Sequence, residues 1–201
     1  MASSRGVEMA ECLNGITFNT EMGWVSILGS VQGVLGITLP QPSQQQAREL
    51  LGNRISCAPA SPHLFDSLVE RLKNYLSGSR VDFPDRIDFS GATSFQRMVW
   101  KATRLIPYGE TRSYAWVAEQ INKPRAARAV GQALGRNPLP IIIPCHRVIR
   151  GDGSPGGFSN GLAVKERLLH LENPAFEFPP HSQVPKAASY SSISPSPAKL
   201  K

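Results

Sequence analysis

Two apolar stripes at helical spacing, parted sharply at Asn122-Lys123-Pro124, constrain the fold of this chain more than any other feature. Before the break, Val117 and Ile121 face one side of a short helix that Ser113 can cap. After it, Ala126, Ala129, Val130, Ala133 and Leu134 recur at i, i+3, i+4, i+7 and i+8, which predicts a buried stripe on a helix over 125–134. Two short helices across a tight break form a helix-turn-helix pattern. Upstream, Phe95, Met98, Val99, Ala102, Leu105 and Ile106 make another stripe, with Ser94 as the expected N-cap and Pro107-Tyr108-Gly109 as the stop.

The outward face of the second helix is unusual. Ala127, Gly131 and Gly135 are spaced by four and form a thin ridge, flanked by Arg125, Arg128, Gln132 and Arg136. A helix with ordinary side chains is about 10–12 Å across, whereas the minor groove of B-form DNA is roughly 6 Å wide. Small residues let the backbone approach such a groove, and the arginines can bind phosphate or probe the base stack. The chain carries 22 Lys and Arg against 15 Asp and Glu, a net charge of +7 that favours a polyanionic partner. A helix packed tightly on another element would use the same small residues.

Five residues carry the chemistry: Pro144-Cys145-His146-Arg147-Val148, after the apolar run Ile141-Ile142-Ile143. The β-branched run predicts a buried strand that delivers a thiol to a fixed place. A free thiol with a pKa of about 8.5 is mostly protonated near neutrality, and attack at carbon needs the thiolate. His146 can accept the proton. Neighbours in a strand point to opposite faces, so a water relay is expected rather than direct contact. Glu172 can orient the imidazole in nucleophile–base–orienter fashion. Taken alone, a buried cysteine is also a small core hydrophobe.

The remaining chain is less explicit. Thr17-Phe18, Trp24 to Leu28 and Val34 to Leu39 read as strands, the last two joined in a hairpin through residues 29–33. Leu64, Phe65, Leu68, Leu72, Tyr75 and Leu76 recur at helical spacing before Gly78, and Ile87 to Phe89 reads as a further strand. Nothing in this first portion is catalytic by inspection. A loop over 150–161 precedes a final helix from Leu162 to Leu171, and the Pro- and Ser-rich residues 177–201 read as disordered. Cys12, Cys57 and Cys145 are odd in number and far apart, which suggests neither a disulfide framework nor a zinc ribbon, and reduced thiols fit an intracellular site. No signal peptide or membrane span is legible.

An ordered set of residues resembles the O6-alkylguanine-DNA alkyltransferases, also called methylated-DNA–protein-cysteine methyltransferases. The set comprises Phe95-Gln96, the run from Ile106 to Thr111, Ser113-Tyr114, the run from Ala126 to Gly131, Asn137-Pro138, the Pro144 to Val148 pentapeptide, Lys165 and Glu172. The resemblance covers about residues 90 to 173 and implies an α/β, ribonuclease-H-like domain over 1–90. Over 91–176 it implies a mainly α catalytic domain with a winged-helix-like helix-turn-helix. It further implies direct reversal of DNA alkylation. The alkyl group on guanine O6, or on thymine O4, moves to Cys145 as a stable thioether, so one molecule repairs one base.

The roles implied are these. Cys145 is the acceptor, His146 and Glu172 the activating relay, and Tyr114 a donor to the departing base. Asn137 braces the active-site turn. Arg128 fills the stack after the nucleotide is turned out, since the lesion is enclosed in duplex DNA. Arg125, Ala127, Gly131, Gln132 and Ser113 meet the DNA. Tyr114, Leu134, Val148, Phe158 and Ser159 line the base pocket. Phe158 stands where many members have tyrosine, which keeps stacking and drops a hydroxyl. Some members bind zinc in the first domain, but Cys12, Cys57 and His63 are not spaced for a site here, so no metal and no cofactor are expected. The expected partner is double-stranded DNA carrying O6-alkylguanine, bound through its minor groove by a monomer. The alternatives are a non-catalytic binder of alkylated DNA, a helix-turn-helix regulator and a cysteine hydrolase. The first replaces the cysteine, the second leaves Tyr114 and Glu172 unexplained, and the third has no use for the reader helix.

Overall fold

The computed structural model describes residues 13–52, 55 and 62–179. The first strands are β1 (Asn14–Thr20), β2 (Gly23–Ser30) and β3 (Gly33–Ile37), which form an antiparallel sheet in the order β1-β2-β3 with a bulge at Leu28/Gly29. β1 extends well beyond Thr17-Phe18 because its polar residues pair in register with β2, from Asn14 opposite Gly29 to Thr20 opposite Gly23. The β2–β3 hairpin turns at Val31-Gln32, and Gly33 follows at φ 149°. A Cβ there would sit 2.3 Å from the Arg86 carbonyl, which accepts from Val34 N at 2.8 Å, so only glycine allows this approach. The expected strand at Ile87 to Phe89 is a single bridge from Ile87 to Val34.

Helix α1 (Gln44–Glu49) is short, and α2 (Pro62–Leu76) packs on the sheet. In α2, Phe65, Leu68, Leu72, Tyr75 and Leu76 are buried as expected, while Leu64 is exposed. Helix α3 (Ser94–Thr103) is capped by Thr93 rather than Ser94. The Thr93 hydroxyl accepts from Gln96 N and the Gln96 side chain accepts from Thr93 N, a reciprocal box that Ser94 cannot close with Arg97. Val99, Ala102 and Ile106 are buried with Trp100, whereas Met98 and Leu105 face out.

Helix α4 (Tyr114–Gln120) starts at Ser113, whose hydroxyl accepts from Trp116 N at 3.0 Å. It ends at Asn122, which takes a left-handed φ of 56°. Helix α5 runs over Ala127–Gly135, later than the expected start. Pro124 brings no N–H, and Ala126 N closes a turn on Lys123 O at 2.8 Å, so Arg125 and Ala126 lie in the turn. Val130, Ala133 and Leu134 are buried, and Ala129 is exposed, because nine residues bury only the flank that faces α3 and α4.

Ile141, Ile142 and Ile143 are buried, but they form no strand. Ile141 adopts φ 76°, and the run turns so that Ile143 N donates to Leu139 O and Cys145 N to Ile143 O. The Asn137 amide takes the place of a neighbouring strand: its oxygen accepts from Leu139 N at 2.9 Å and its nitrogen donates to Ile143 O at 2.8 Å. Cys145–Arg147 then form one turn of 3-10 helix. β5 (Val148–Ile149) pairs in parallel with β4 (Arg112–Ser113), and α6 (Leu162–Glu172) closes the fold.

The buried apolar residues form one cluster running from Phe18 in the sheet to Leu168 in α6. Of the stretch expected to be disordered, 177–179 are described, with Phe178 edge-on to Phe176 at 5.0 Å; 180–201 lie outside the described residues. No helix among the described residues is long and apolar enough to cross a membrane.

Candidate active site

The 3-10 turn decides where each member of the pentapeptide points. Successive side chains in such a turn diverge by about a third of a revolution. Cys145 therefore faces a cleft while His146 and Arg147 turn into the core. The cleft measures about 810 Å³. One wall is α5, through Ala127, Arg128, Gly131, Gln132, Leu134 and Gly135. Tyr114 of α4 and the loop residues Gly156, Gly157, Phe158 and Ser159 complete it. Eight expected site residues from separate parts of the sequence thus line the cleft with the thiol: Tyr114, Ala127, Arg128, Gly131, Gln132, Leu134, Phe158 and Ser159.

The sulfur is held from behind. Asn137 Nδ2, already bonded to Ile143 O, also donates to Cys145 Sγ at 3.2 Å. Burial pushes the thiol pKa up, and the Asn137 donor and the Lys165 ammonium pull it back down. Lys165 is fully buried; its Nζ donates to Val148 O at 2.5 Å and to Pro155 O, tying the strand after the cysteine to the cleft loop. Burial lowers the Lys165 pKa to about 8 against an opposing pull from Cys145. Tyr114 donates to Gly157 O at 3.3 Å, and burial, then the neighbouring Cys145, raise its pKa, so it is a neutral phenol.

Behind the thiol lies a buried polar cluster centred on Glu172. His146 Nε2 meets Glu172 Oε1 at 2.7 Å. Arg147 donates from Nε to Oε2 at 2.8 Å and from Nη2 to Oε1 at 2.9 Å. Gly109 N donates to Oε2 at 3.0 Å, and Tyr75 OH to Oε1 at 2.5 Å. Burial pushes the Glu172 carboxyl up, but hydrogen bonds and charge from His146 and Arg147 outweigh it and hold the group far below the usual carboxylate range. Burial lowers the His146 pKa, Glu172 opposes, and Arg147 and Lys165 add to the lowering, so the imidazole is neutral near pH 7. Its Nδ1 is buried with no protein partner among the described residues.

Three expected site residues lie elsewhere. Val148 is fully buried; its N–H donates to Cys145 O and its carbonyl accepts from Lys165, so it does not line the cleft. Ser113 is occupied as the α4 cap, and Arg125 is exposed in the turn before α5. Conversely, Tyr75 and Arg147 are central to the cluster without having been singled out as site residues. A tyrosine in an apolar helical stripe is itself a signal, since a buried hydroxyl must find a partner. For metal binding, no group of three or more His, Cys, Asp or Glu side chains could hold an ion among the described residues. His63 pairs with Asp66 at 3.3 Å, and Cys12 and Cys57 lie outside the described residues.

The model of the 6-O-methylguanine DNA methyltransferase DNA binding domain matches residues 94–174. A methylated-DNA–protein-cysteine methyltransferase of Mycolicibacterium paratuberculosis is 50% identical over 112 residues, which are 56% of this chain and 67% of that protein. A second, from Methanosarcina barkeri, is 52% identical over 108 residues, 54% of this chain and 68% of its own length. The crystal structure of the OGT protein of Mycobacterium tuberculosis in complex with DNA superposes with a TM-score of 0.67 at 38% identity, covering 80% of this chain and 93% of that one. The fold, helices with a small sheet, is that of the OGT alkyltransferases. With half the aligned residues identical across two thirds of one such protein, and the architecture shared through most of another, the chain belongs to the methylated-DNA–protein-cysteine methyltransferases, which repair DNA by taking an alkyl group onto a cysteine of their own.

Proposed function

We propose that Cys145 is the acceptor, and that the cleft it borders receives an alkylated guanine turned out of duplex DNA. The observation that carries this reading is the place of Cys145 in the lining of a cleft that it shares with the small-residue ridge of α5 and the Tyr114 phenol. The thiol proton passes through a water to Nδ1 of His146, while Glu172 holds Nε2. The thiolate attacks the alkyl carbon in line. The S–C bond forms, the C–O6 bond breaks, and its electron pair goes to the purine. Tyr114 donates a proton to the departing base, at N3. No step in this sequence removes the thioether, so each molecule acts once.

The reader helix has the shape for its task. Ala127, Gly131 and Gly135 present little side chain to a groove about 6 Å wide. Arg128, exposed beside them, can occupy the gap left in the base stack. Gln132, in the cleft lining, and Arg125 and Ser113, outside it, are the further candidates for contact with the DNA backbone. The finer fold reading is a ribonuclease-H-like unit over 1–90 and a winged-helix-like unit over 91–176, acting as a monomer, without cofactor, inside the cell. The family match over 94–174 supports the second boundary.

The test is an intact mass after incubation with duplex DNA carrying O6-methylguanine. A single added methyl on Cys145, with guanine restored and never more than one event per molecule, is the expected result. Cys145→Ala should bind the duplex and gain no mass. Lesion binding by the unsubstituted chain without any gain would leave a non-catalytic binder in its place.

A further inference from the structure

Tyr75 stands apart from the rest of the site because it comes from α2, on the sheet side of the molecule. Its ring is fully buried, edge-on to Phe83 at 5.9 Å and to Tyr108 at 6.1 Å, so the hydroxyl has little freedom of direction. That hydroxyl lies 2.5 Å from Glu172 Oε1 and 3.2 Å from His146 Nε2. A phenol has one proton, and the shorter contact takes it. The Tyr75 oxygen and Glu172 Oε1 then both face Nε2 as acceptors. A neutral imidazole between two acceptors must carry its proton on Nε2, which leaves Nδ1, the nitrogen without a protein partner, as the base. We infer that Tyr75 is a positioning residue for alkyl transfer, a hydroxyl supplied by the first portion of the chain that fixes the His146–Glu172 pair and the tautomer of the imidazole. This rests on His146 serving as the base in the reading above.

The hydroxyl also moderates the pair. Glu172 Oε1 accepts from Tyr75, His146 and Arg147 together. Each donor disperses the carboxylate charge and weakens its pull on the imidazole. The titratable and charged groups around the His146–Glu172 pair are Tyr75 from α2, Tyr108 from the loop after α3, Arg147 from the same turn as His146, and Lys165 from α6. Removing the Tyr75 donor leaves Glu172 freer to hold an imidazolium. The His146 pKa then rises, and the base is protonated, hence idle, up to a higher pH.

The experiment is a single-turnover transfer rate on O6-methylguanine duplex across a pH series. Tyr75→Phe is expected to transfer about tenfold more slowly near neutrality, with the acid limb displaced to higher pH and duplex affinity unchanged. In a Glu172→Gln background the same change should alter the rate by less than about twofold, since Tyr75 acts through that carboxylate. A ring-fluorinated tyrosine at position 75 donates more strongly at almost the same size, and should move the limb to lower pH even if the phenylalanine variant folds poorly. A purely structural hydroxyl would lower thermal stability and leave the limb in place. An unmoved limb, or a rate matching the unsubstituted chain, overturns the role of Tyr75 while His146→Ala and Glu172→Gln remain slow. If those two also match it, the relay itself falls and Tyr75 with it.

Discussion

Removing the Glu172 carboxylate should unsettle the whole molecule, not only the reaction. Glu172→Ala withdraws the acceptor from Tyr75, His146, Gly109 and two nitrogens of Arg147. The Arg147 side chain is about nine tenths buried and keeps one other bond, from Nη1 to Ile106 O at 2.7 Å. Breaking a buried ion pair by deleting one partner costs about 3–5 kcal/mol, because the remaining charge is left uncompensated. Stranded donors at Tyr75 and Gly109 add to this, and water entering the vacated volume offsets part of it. A loss of about 4 kcal/mol is the result, equivalent to a fall in Tm of roughly 8–16 °C for a chain of this size. Urea titration followed by the fluorescence of Trp24, Trp100 and Trp116 measures it. The double variant Arg147→Met with Glu172→Met replaces both charges by apolar groups and should lose less than Glu172→Ala alone. A loss below about 1 kcal/mol for Glu172→Ala, or a double variant less stable than either single one, would refute the view of Glu172 as a buried charge hub.

The same carboxylate has a pH signature. Its folded pKa is depressed, so the unfolded chain binds more protons in acid; the stabilisation is complete above the unfolded value of about 4.3 and fades as pH falls below it. Glu172→Gln should therefore flatten the dependence of the urea midpoint on pH below about 4. Lys165→Met removes the ammonium that lowers the Cys145 pKa, so ultraviolet thiolate absorbance should appear at higher pH than in the parent chain. Gly135→Leu places a Cβ with nothing within 4 Å of it on an exposed helical position, so stability should hold or rise by up to about 1 kcal/mol. Duplex affinity, read by anisotropy, should nevertheless fall about tenfold as the ridge thickens.

Much of this site is legible from residue order, for reasons that differ by residue. Cys145, His146 and Glu172 stand out because nucleophile, base and orienter are restricted chemical types. The ridge on α5 is legible because residues four apart share one face of a helix, although small residues there also suit close packing. The Ile141 to Ile143 run misled, since β-branched residues favour strands. What it lacks is a partner strand, and the amide of Asn137 satisfies the backbone instead. No local propensity encodes that substitution. Tyr75 was hidden differently: it sits correctly in an apolar stripe, and only the tertiary fold shows that the stripe ends against Glu172, 97 residues away. The start of α5 slipped because Pro124 permits a turn as readily as a first helical residue.

The unbroken apolar cluster, from Phe18 to Leu168, has a consequence for inheritance. Melting should proceed as one event, with no surviving half that still removes lesions. Alleles that fail only when warm should accordingly map to strands remote from the sulfur as often as to its neighbours, and their carriers would be sensitised to alkylating agents while every chemical group of the reaction remained intact.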